Sequence, residues 1–331
     1  MHLYGHYDCG GTHKNPDRRG RLPPTVSVAG FLSTYPQIYE HDRLWRARLK
    51  KDKFAYFHMS SFMANKGIFE KCVRWSEKRK SMFLDDLISI IARNATFGIG
   101  MAVHRADYEK VWNEAQESVH NALGSPYAFC AFRCFESGAD FSIKAKSPDP
   151  INYVFEQGDQ YAEQIFETHQ FLCEFEPLRR RYWLGSLRFD PKNNTLLQAA
   201  DLLTWELNRE HYRQSYPEPE YAYSRDTLVK LMESVPGDYR GYHEDDFRGY
   251  LTDMMTRAKS KGKKGKFFII NVPAKLSQQI AEEMEKRSEA KDRVRKVRRN
   301  NARTASPSAK RVTKGTGKQR ASKGGRKKAA N

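Results

Sequence analysis

Acidic residues end several of the strands that the sequence predicts. Asp8 closes the first alternating segment, Glu156 ends INYVFE, and Asp190 ends GSLRFD. Carboxylates gathered at strand ends from distant parts of a chain are how a protein builds a site for a hard cation. Mg²⁺ takes oxygen ligands, keeps several waters and bridges to substrate phosphates. Two such ions can activate a water and stabilise the leaving oxygen when a phosphodiester is cleaved.

Asp201 is a fourth acidic candidate, and it lies among apolar residues in the segment NTLLQAADLLTW. A carboxylate in such surroundings is costly unless it is ion-paired, hydrogen-bonded or bound to a metal. A salt bridge to an arginine, or a position at the rim of the helix, would also account for it. The spacing alone does not choose between these explanations.

The start of the same helix fits a capping box. Thr195 would be the N-cap and Gln198 the third helical residue. For Gln198, this structural role and a contact with substrate are both open. The box places Asp201 beyond the first turn, so the helix dipole does not explain its presence.

The elements that must position these residues alternate between strands and helices, which predicts an α/β domain. The opening hairpin favours a mixed sheet over an all-parallel one. Strands are predicted over 3–8, 25–32, 54–62, 97–105, 151–156 and 182–190, and helices over 36–51, 69–95, 106–123, 126–141, 160–175 and from 195 onward.

Three regions follow from this pattern. Residues 1–213 form the α/β domain, and 214–285 form a small α+β extension that is helical over 223–257. Residues 286–331 are the end of a basic helix and a tail rich in Lys and Arg, in which the segment from about 300 onward has no Leu, Ile or aromatic residue. Such a segment cannot bury enough apolar surface to offset the entropy of ordering, so we expect it to be disordered.

The positive charge of the chain is concentrated in this tail. Of the formal net charge of +18, residues 286–331 carry 18 Lys and Arg against two acidic residues, which leaves residues 1–285 near neutral. A cationic tail attracts polyanions without sequence preference, and we expect nucleic acid, DNA or RNA, as the partner. The alternative is a solvated appendage that only aids solubility.

A second basic segment lies in the long loop between the first two strands. It is rich in glycine and proline, and long loops inside compact domains are often functional. Its candidate nucleic-acid contacts are Lys14, Arg18, Arg19 and Arg21.

The remaining composition favours a soluble cytoplasmic protein with no membrane partner. The five cysteines include no CxxC pair, no zinc spacing is apparent, and the pattern suits free thiols in a reducing compartment. No signal peptide is expected before the first strand, and runs such as FFIINV are far shorter than the roughly 20 residues of a membrane helix.

Five segments together resemble the prokaryotic family called domain of unknown function 3800, which is grouped with ribonuclease H-like folds. The resemblance spans roughly residues 3–213, and LQAAD is its most specific part. The matching segments, in order, are YDCGG, VSVAGFL, FHMSSF, NYVFEQGD and FDPKNNTLLQAADLL.

The resemblance implies a ribonuclease H-like mixed β-sheet flanked by helices. It also implies that Asp8, Glu156, Asp190 and Asp201 form an acidic cluster that holds Mg²⁺ or Mn²⁺ and carries the catalysis. His58 and Lys192 match family positions as well. For His58 a buried, hydrogen-bonded role is expected, whereas Lys192 would either neutralise a phosphate or pair with Asp190.

Two positions depart from the family pattern. Cys9 stands where the family has a glutamate, and Pro191 stands where it has a serine. Successive strand residues point to opposite faces, so Asp8 could serve a site that Cys9 does not reach, and the glycines would let the backbone turn close to a ligand. A thiol nucleophile at Cys9 with His6 is disfavoured, because the two differ in strand parity.

Two functions are therefore expected from the sequence. The first is a metal-dependent, nuclease-like phosphodiesterase acting on nucleic acid. The alternative is a non-catalytic nucleic-acid-binding protein with a degenerate acidic site, for which Cys9 is the best clue.

Overall fold

A mixed six-stranded sheet with helices packed against both faces is the framework of the protein. The computed structural model describes residues 2–11, 23–114, 125–147, 149–158, 162–174, 179–180, 182–215, 226–249 and 252. The strands are β1 (Leu3–Gly10), β2 (Thr25–Thr34), β3 (Phe97–His104), β4 (Ile151–Glu156), β5 (Leu184–Asp190) and β6 (Gly237–Tyr242).

The helices alternate with these strands as an α/β fold requires. They are α1 (Tyr35–Lys51), α2 (Met59–Met63), α3 (Glu77–Asn94), α4 (Arg105–Glu114), α5 (Pro126–Lys144), α6 (Ala162–Glu174), α7 (Thr195–Ser215) and α8 (Asp226–Ser234), with a 3-10 helix over Gly67–Arg74 before α3.

The sheet has the strand order β5-β4-β1-β2-β3-β6. Strand β2 is antiparallel to both of its neighbours, whereas β1, β4 and β5 are parallel to one another. The carboxyl ends of these three parallel strands therefore lie side by side at one edge. In open α/β sheets this edge is where ligands bind.

The hairpin partner β2 carries no charged residue and is buried over nearly its whole length. This burial is expected for a strand that is paired on both edges and covered on both faces. Asp8 pairs in register with Ala29 of β2, so the two side chains share one face of the sheet. Ala29 belongs to the apolar core that also contains Leu202, Leu203 and Leu207 of α7, and this is the face on which α7 packs.

Small residues let α7 approach the sheet closely. A Cβ atom on Gly10 would lie 1.8 Å from Asn208 Nδ2 and 2.8 Å from Thr204 Cγ2, so a larger residue there would have to displace these side chains. The Thr204 hydroxyl, at this contact, donates hydrogen bonds to the backbone oxygens of Asp8 (3.3 Å) and Ala29 (3.4 Å). Hydrogen bonds thus join the end of β1 to the middle of α7.

Three of the predicted elements differ in the structure. Residues 54–62 form a loop followed by α2, not a strand, because Phe57 and Phe62 pack with Phe83 in an aromatic cluster instead of joining the sheet. The predicted helix over 69–95 is broken at Trp75, and α3 begins after the N-cap Ser76, whose side chain accepts from Arg79 N–H.

The region predicted as helical over 223–257 contains a strand. Its described part comprises α8, the strand β6 and a helical turn over 244–249. Strand β6 pairs in parallel with β3 and extends the sheet of the α/β domain. Its residue Tyr239 packs beside Gly98 and Gly100 of β3, and Tyr242 contacts Phe129 of α5. The segment FFIINV and the tail from 286 onward lie outside the described residues.

Candidate functional site

Three of the four predicted carboxylates come together at the carboxyl ends of β1 and β4. Asp8 lies one residue beyond the register in which Tyr7 faces Phe155, so Asp8 and Glu156 are neighbours on the same face. Asp201 reaches this point from α7, and its negative charge acts directly on Asp8. Asp8 and Asp201 thus lie on the same side of the sheet, as a shared site requires.

Burial and like charge both act against ionisation of Asp8. The residue is 4% exposed. Burial, the negative charge of Asp201, and a hydrogen bond and charge from Glu156 raise the pKa of Asp8 well above its ordinary value. A hydrogen bond from the Cys9 backbone N–H opposes this effect without cancelling it. Such a shift is typical of functional sites, although structural clusters also produce it.

Asp201 is held by the segment that leads into α2. Its Oδ2 accepts a hydrogen bond of 2.6 Å from Met59 N–H, and its Oδ1 lies 3.7 Å from His58 Nε2. Burial raises the pKa of Asp201 and Glu156 adds to the effect, against the lowering by His58, Met59 N–H and Lys192. The apolar neighbours of Asp201 in the sequence are therefore not its surroundings in the fold.

His58 is half-buried, and its Nδ1 lies 2.9 Å from Ser61 Oγ. This hydrogen bond fixes the ring so that Nε2 faces Asp201. The predicted hydrogen-bonded role is correct, but the side chain is less enclosed than predicted, at 32% exposed.

Lys192 supplies the positive charge of the cluster. Its Nζ lies 2.9 Å from Glu156 Oε1, and the charges of Asp8 and Asp201 also act on it. Burial alone would lower the pKa of Lys192, but the hydrogen bond to Glu156 and these charges together raise it. The sequence offered two roles for Lys192, neutralising a phosphate or pairing with Asp190. In the structure Lys192 pairs with Glu156 and not with Asp190.

Asp190 lies opposite Glu156 in the register of β4 and β5. Its carboxylate is nevertheless engaged elsewhere, because it accepts from Asn194 Nδ2 at 2.9 Å and from the Arg188 guanidinium at 3.2 Å. The structure thus brings Asp8, Glu156 and Asp201 together and holds the Asp190 carboxylate toward the turn before α7.

The capping-box role that the sequence offered for Gln198 is wrong. Asn194 caps α7 instead of Thr195, since its Oδ1 accepts from Leu196 N–H at 3.0 Å. The Gln198 Oε1 accepts from Trp45 Nε1 and from Phe57 N–H, both at 2.9 Å, and Nε2 donates to the Lys192 carbonyl at 3.0 Å. One buried amide thus links α1, the segment before His58 and the turn of Lys192 to the helix of Asp201.

The backbone contribution of Met59 and the linking role of Gln198 were not identified from the sequence. Nothing in the residue types of FHMSSF marks the Met59 amide, because any residue could donate it. For Gln198 a signal existed, a buried amide near an acidic residue, but the capping-box spacing offered a local explanation that the structure does not bear out.

The alternating directions of β1 separate Cys9 from Asp8. Cys9 is paired with Val28, and its side chain points to the face covered by α5, where Cys134 Sγ contacts the Val28 carbonyl. His6 lies on the Asp8 face and is buried, which lowers its pKa to about 3, with Arg188 and His41 adding to the effect. The predicted separation of Cys9 and His6 is therefore observed.

The described residues can be compared with the predicted metal site and the predicted nucleic-acid contacts. Among the described residues, no group of three or more His, Cys, Asp or Glu side chains is arranged so that it could hold a metal ion as it stands. The predicted nucleic-acid contacts Lys14, Arg18, Arg19 and Arg21, together with the basic tail, lie outside the described residues.

Comparison of the chain with models of protein families, with curated proteins and with solved structures finds no match. Within the described part of the chain, none of the helices combines the length and the apolar character that crossing a bilayer demands.

Proposed function

We propose that this protein is a divalent-metal-dependent, nuclease-like phosphodiesterase that acts on nucleic acid, with Asp8, Glu156 and Asp201 at its centre. The observation that carries the proposal is the convergence of these carboxylates, from residues up to 193 positions apart in the chain, at the carboxyl ends of β1 and β4. Packing alone does not require three acidic groups, one buried and two largely shielded from solvent, to lie within reach of one another.

The donor set fits a hard cation such as Mg²⁺ or Mn²⁺. Burial raises the pKa of both Asp8 and Asp201, and a neighbouring carboxylate adds to the effect at each, Asp201 at Asp8 and Glu156 at Asp201, so a nearby divalent cation would relieve an electrostatic cost. Mg²⁺ is usually bound through one or two carboxylates, with water and substrate phosphate completing the octahedron. Asp8 and Asp201 would provide these two, and a preformed group of three protein donors is not needed.

A bound divalent ion would supply an activated water and stabilise the charge that develops on the phosphate. The residues of this chain would do the positioning. The Met59 amide and His58 orient the Asp201 carboxylate, the Cys9 amide and Thr204 hold the end of β1, and Gln198 holds the turn of Lys192.

The arrangement of the sheet supports the ribonuclease H-like assignment. The first strand lies inside the sheet, flanked by an antiparallel hairpin partner and by the parallel strand β4. In ribonuclease H-like enzymes an aspartate on the central first strand, with acidic groups on later strand and helix ends, holds the divalent ions. Asp8, Glu156 and Asp201 occupy such positions, whereas Asp190 has its carboxylate turned to Asn194.

The second candidate is a nucleic-acid-binding protein with a degenerate acidic site. One contact favours it: the Glu156 carboxylate is already neutralised by Lys192 at 2.9 Å. Cys9, in place of the family's glutamate, points the same way. In both candidates the basic tail and the loop residues Lys14, Arg18, Arg19 and Arg21 provide affinity for the phosphate backbone.

The two candidates are separated by cleavage of labelled DNA and RNA in the presence of Mg²⁺, Mn²⁺ or EDTA. We expect metal-dependent cleavage that is lost in Asp8→Asn and in Asp201→Asn and is kept in the control Asp85→Asn, which removes an exposed carboxylate paired with Lys230. Binding without cleavage under every metal would leave the second candidate.

The tail is tested separately. A truncation that ends at Glu285 is expected to weaken binding of nucleic acid and to flatten its dependence on salt, because fewer counterions are released. Equal affinities of the truncated and full-length chains across a salt series would show that the contact lies elsewhere.

A further inference from the structure

The ion pair between Lys192 and Glu156 joins two side chains of different exposure. The Glu156 side chain is 16% exposed, whereas the Lys192 side chain is 63% exposed, yet its Nζ reaches in to 2.9 Å from Glu156 Oε1. The ammonium is also attracted by Asp8 and Asp201. Lys192 therefore pairs directly with Glu156 and also acts, from further away, on the other two carboxylates.

The backbone of Lys192 is fixed while its side chain is not. The Lys192 carbonyl accepts from Gln198 Nε2 at 3.0 Å, and Gln198 is itself anchored to Trp45 and Phe57. The four-carbon stem, in contrast, lies mostly in solvent and can change rotamer at little packing cost. The Lys192 side of this ion pair is open to solvent, and solvent screening weakens such a pair, so the ammonium is held only modestly.

We infer that Lys192 is a displaceable counter-ion, whose ammonium occupies the cation position of the Asp8, Glu156 and Asp201 cluster and leaves Glu156 when a divalent ion binds. The inference rests on the proposed metal site and adds a competitor to it. The Lys192 ammonium and a divalent ion compete for the same few carboxylate oxygens. At the same distance, the doubly charged ion is attracted to each carboxylate more strongly than the ammonium is.

A competitor that must be displaced lowers the apparent affinity for the metal. Removal of the ammonium should therefore tighten metal binding, by about fivefold if the ion pair is as strong as the upper range for solvent-screened pairs. Replacement by another cation should not. If Lys192 instead helped to hold the metal or to keep the site folded, its removal would weaken metal binding.

The test is the affinity of the full-length protein for Mn²⁺ alone, measured by the electron paramagnetic resonance signal of free Mn²⁺ and by titration calorimetry. The variants are Lys192→Met, which keeps the stem, and Lys192→Arg, which keeps the charge. The matched control is Arg188→Met, which removes a positive charge from the neighbouring β5, where the guanidinium contacts Asp190. Thermal unfolding of each variant without metal verifies that it is folded.

We expect Lys192→Met to bind Mn²⁺ about fivefold more tightly than the natural chain, and Lys192→Arg and Arg188→Met to bind nearly as the natural chain does. Equal affinity of Lys192→Met and the natural chain, or weaker binding by Lys192→Met, overturns the inference and leaves the proposed site intact. If none of the four proteins binds Mn²⁺, the proposed site fails together with the inference. Binding by Lys192→Met alone would support the inference and identify the natural chain as self-blocked.

Discussion

The buried amide of Gln198 offers the sharpest test of how the site is built. Gln198 is 4% exposed, and its Oε1 is the acceptor for both Trp45 Nε1 and Phe57 N–H at 2.9 Å. Gln198→Met keeps the shape of the side chain and removes both hydrogen bonds. Each buried donor left without a partner costs about 1–3 kcal/mol, so for the two donors we expect the free energy of unfolding to fall by roughly 2–6 kcal/mol.

The loss of the third hydrogen bond, from Gln198 Nε2 to the Lys192 carbonyl, adds little to this cost, because that carbonyl can bond water instead. A loss of roughly 2–6 kcal/mol corresponds to a fall in melting temperature of about 4–24 °C for a domain of this size. Urea unfolding followed by tryptophan fluorescence gives the free energy, and differential scanning calorimetry gives the melting temperature.

The matched control for this prediction is Gln170→Met, an exposed glutamine of α6. We expect it to change stability by less than about 0.5 kcal/mol. If Gln198→Met also costs less than about 1 kcal/mol, the Trp45 and Phe57 donors do not depend on Gln198. The link that positions His58 and Lys192 around Asp201 would then be refuted.

Three further changes test the electrostatics and the close packing. Burial raises the pKa of Glu206 to about 7, so the unfolded chain loses this proton at lower pH than the folded chain, and stability falls between about pH 4.5 and 7. Glu206→Gln should remove most of that fall, up to about 3 kcal/mol, in urea titrations across this pH range; an unchanged pH profile would contradict the assignment. Gly10→Ala should cost about 1–3 kcal/mol of stability, because the added Cβ would overlap Asn208. The control Gly249→Ala should be neutral or stabilising, because the space around Gly249 is open and the residue lies on a helical turn. Equal effects of the two substitutions would refute the close approach of α7. In metal-free buffer above pH 7, Asp8→Asn should raise the melting temperature. The raised pKa of Asp8 means that ionisation of its carboxyl group lowers the free energy of unfolding, and asparagine carries no charge. A lower melting temperature of the variant would show instead that the fold stabilises the carboxylate.

The alternating pattern of the sequence predicted the strands and most helices of the α/β core, because these elements bury one regular face. Helix α1 illustrates this, since its apolar stripe matches the residues it buries, whereas β2 is buried on both faces. The pattern failed at residues 54–62, where aromatic side chains form a cluster with α3 instead of a sheet, and at β6, where the exposed and half-buried pattern GDYRGY carries no clear period.

The acidic site was predictable in part. Asp8 and Glu156 were identified because they end strands, and parallel pairing of β1 and β4 brings those ends together. Asp190 also ends a strand beside Glu156, but local competition from Arg188 and Asn194 decides where its carboxylate points, and a sequence pattern does not rank such contacts. The partner of Lys192 likewise depends on the turn between β5 and α7, which no periodicity describes.

The central claim is that Asp8 and Asp201 bind a divalent cation, and a crystal of the full-length protein soaked in Mn²⁺ tests it most directly. We predict a peak in the anomalous difference map about 2.2 Å from a carboxylate oxygen of each residue, with Glu156 within reach of the ion or its water. The peak should be missing in Asp201→Asn. A map of the natural chain with well-ordered carboxylates and no Mn²⁺ between Asp8 and Asp201 would contradict the claim.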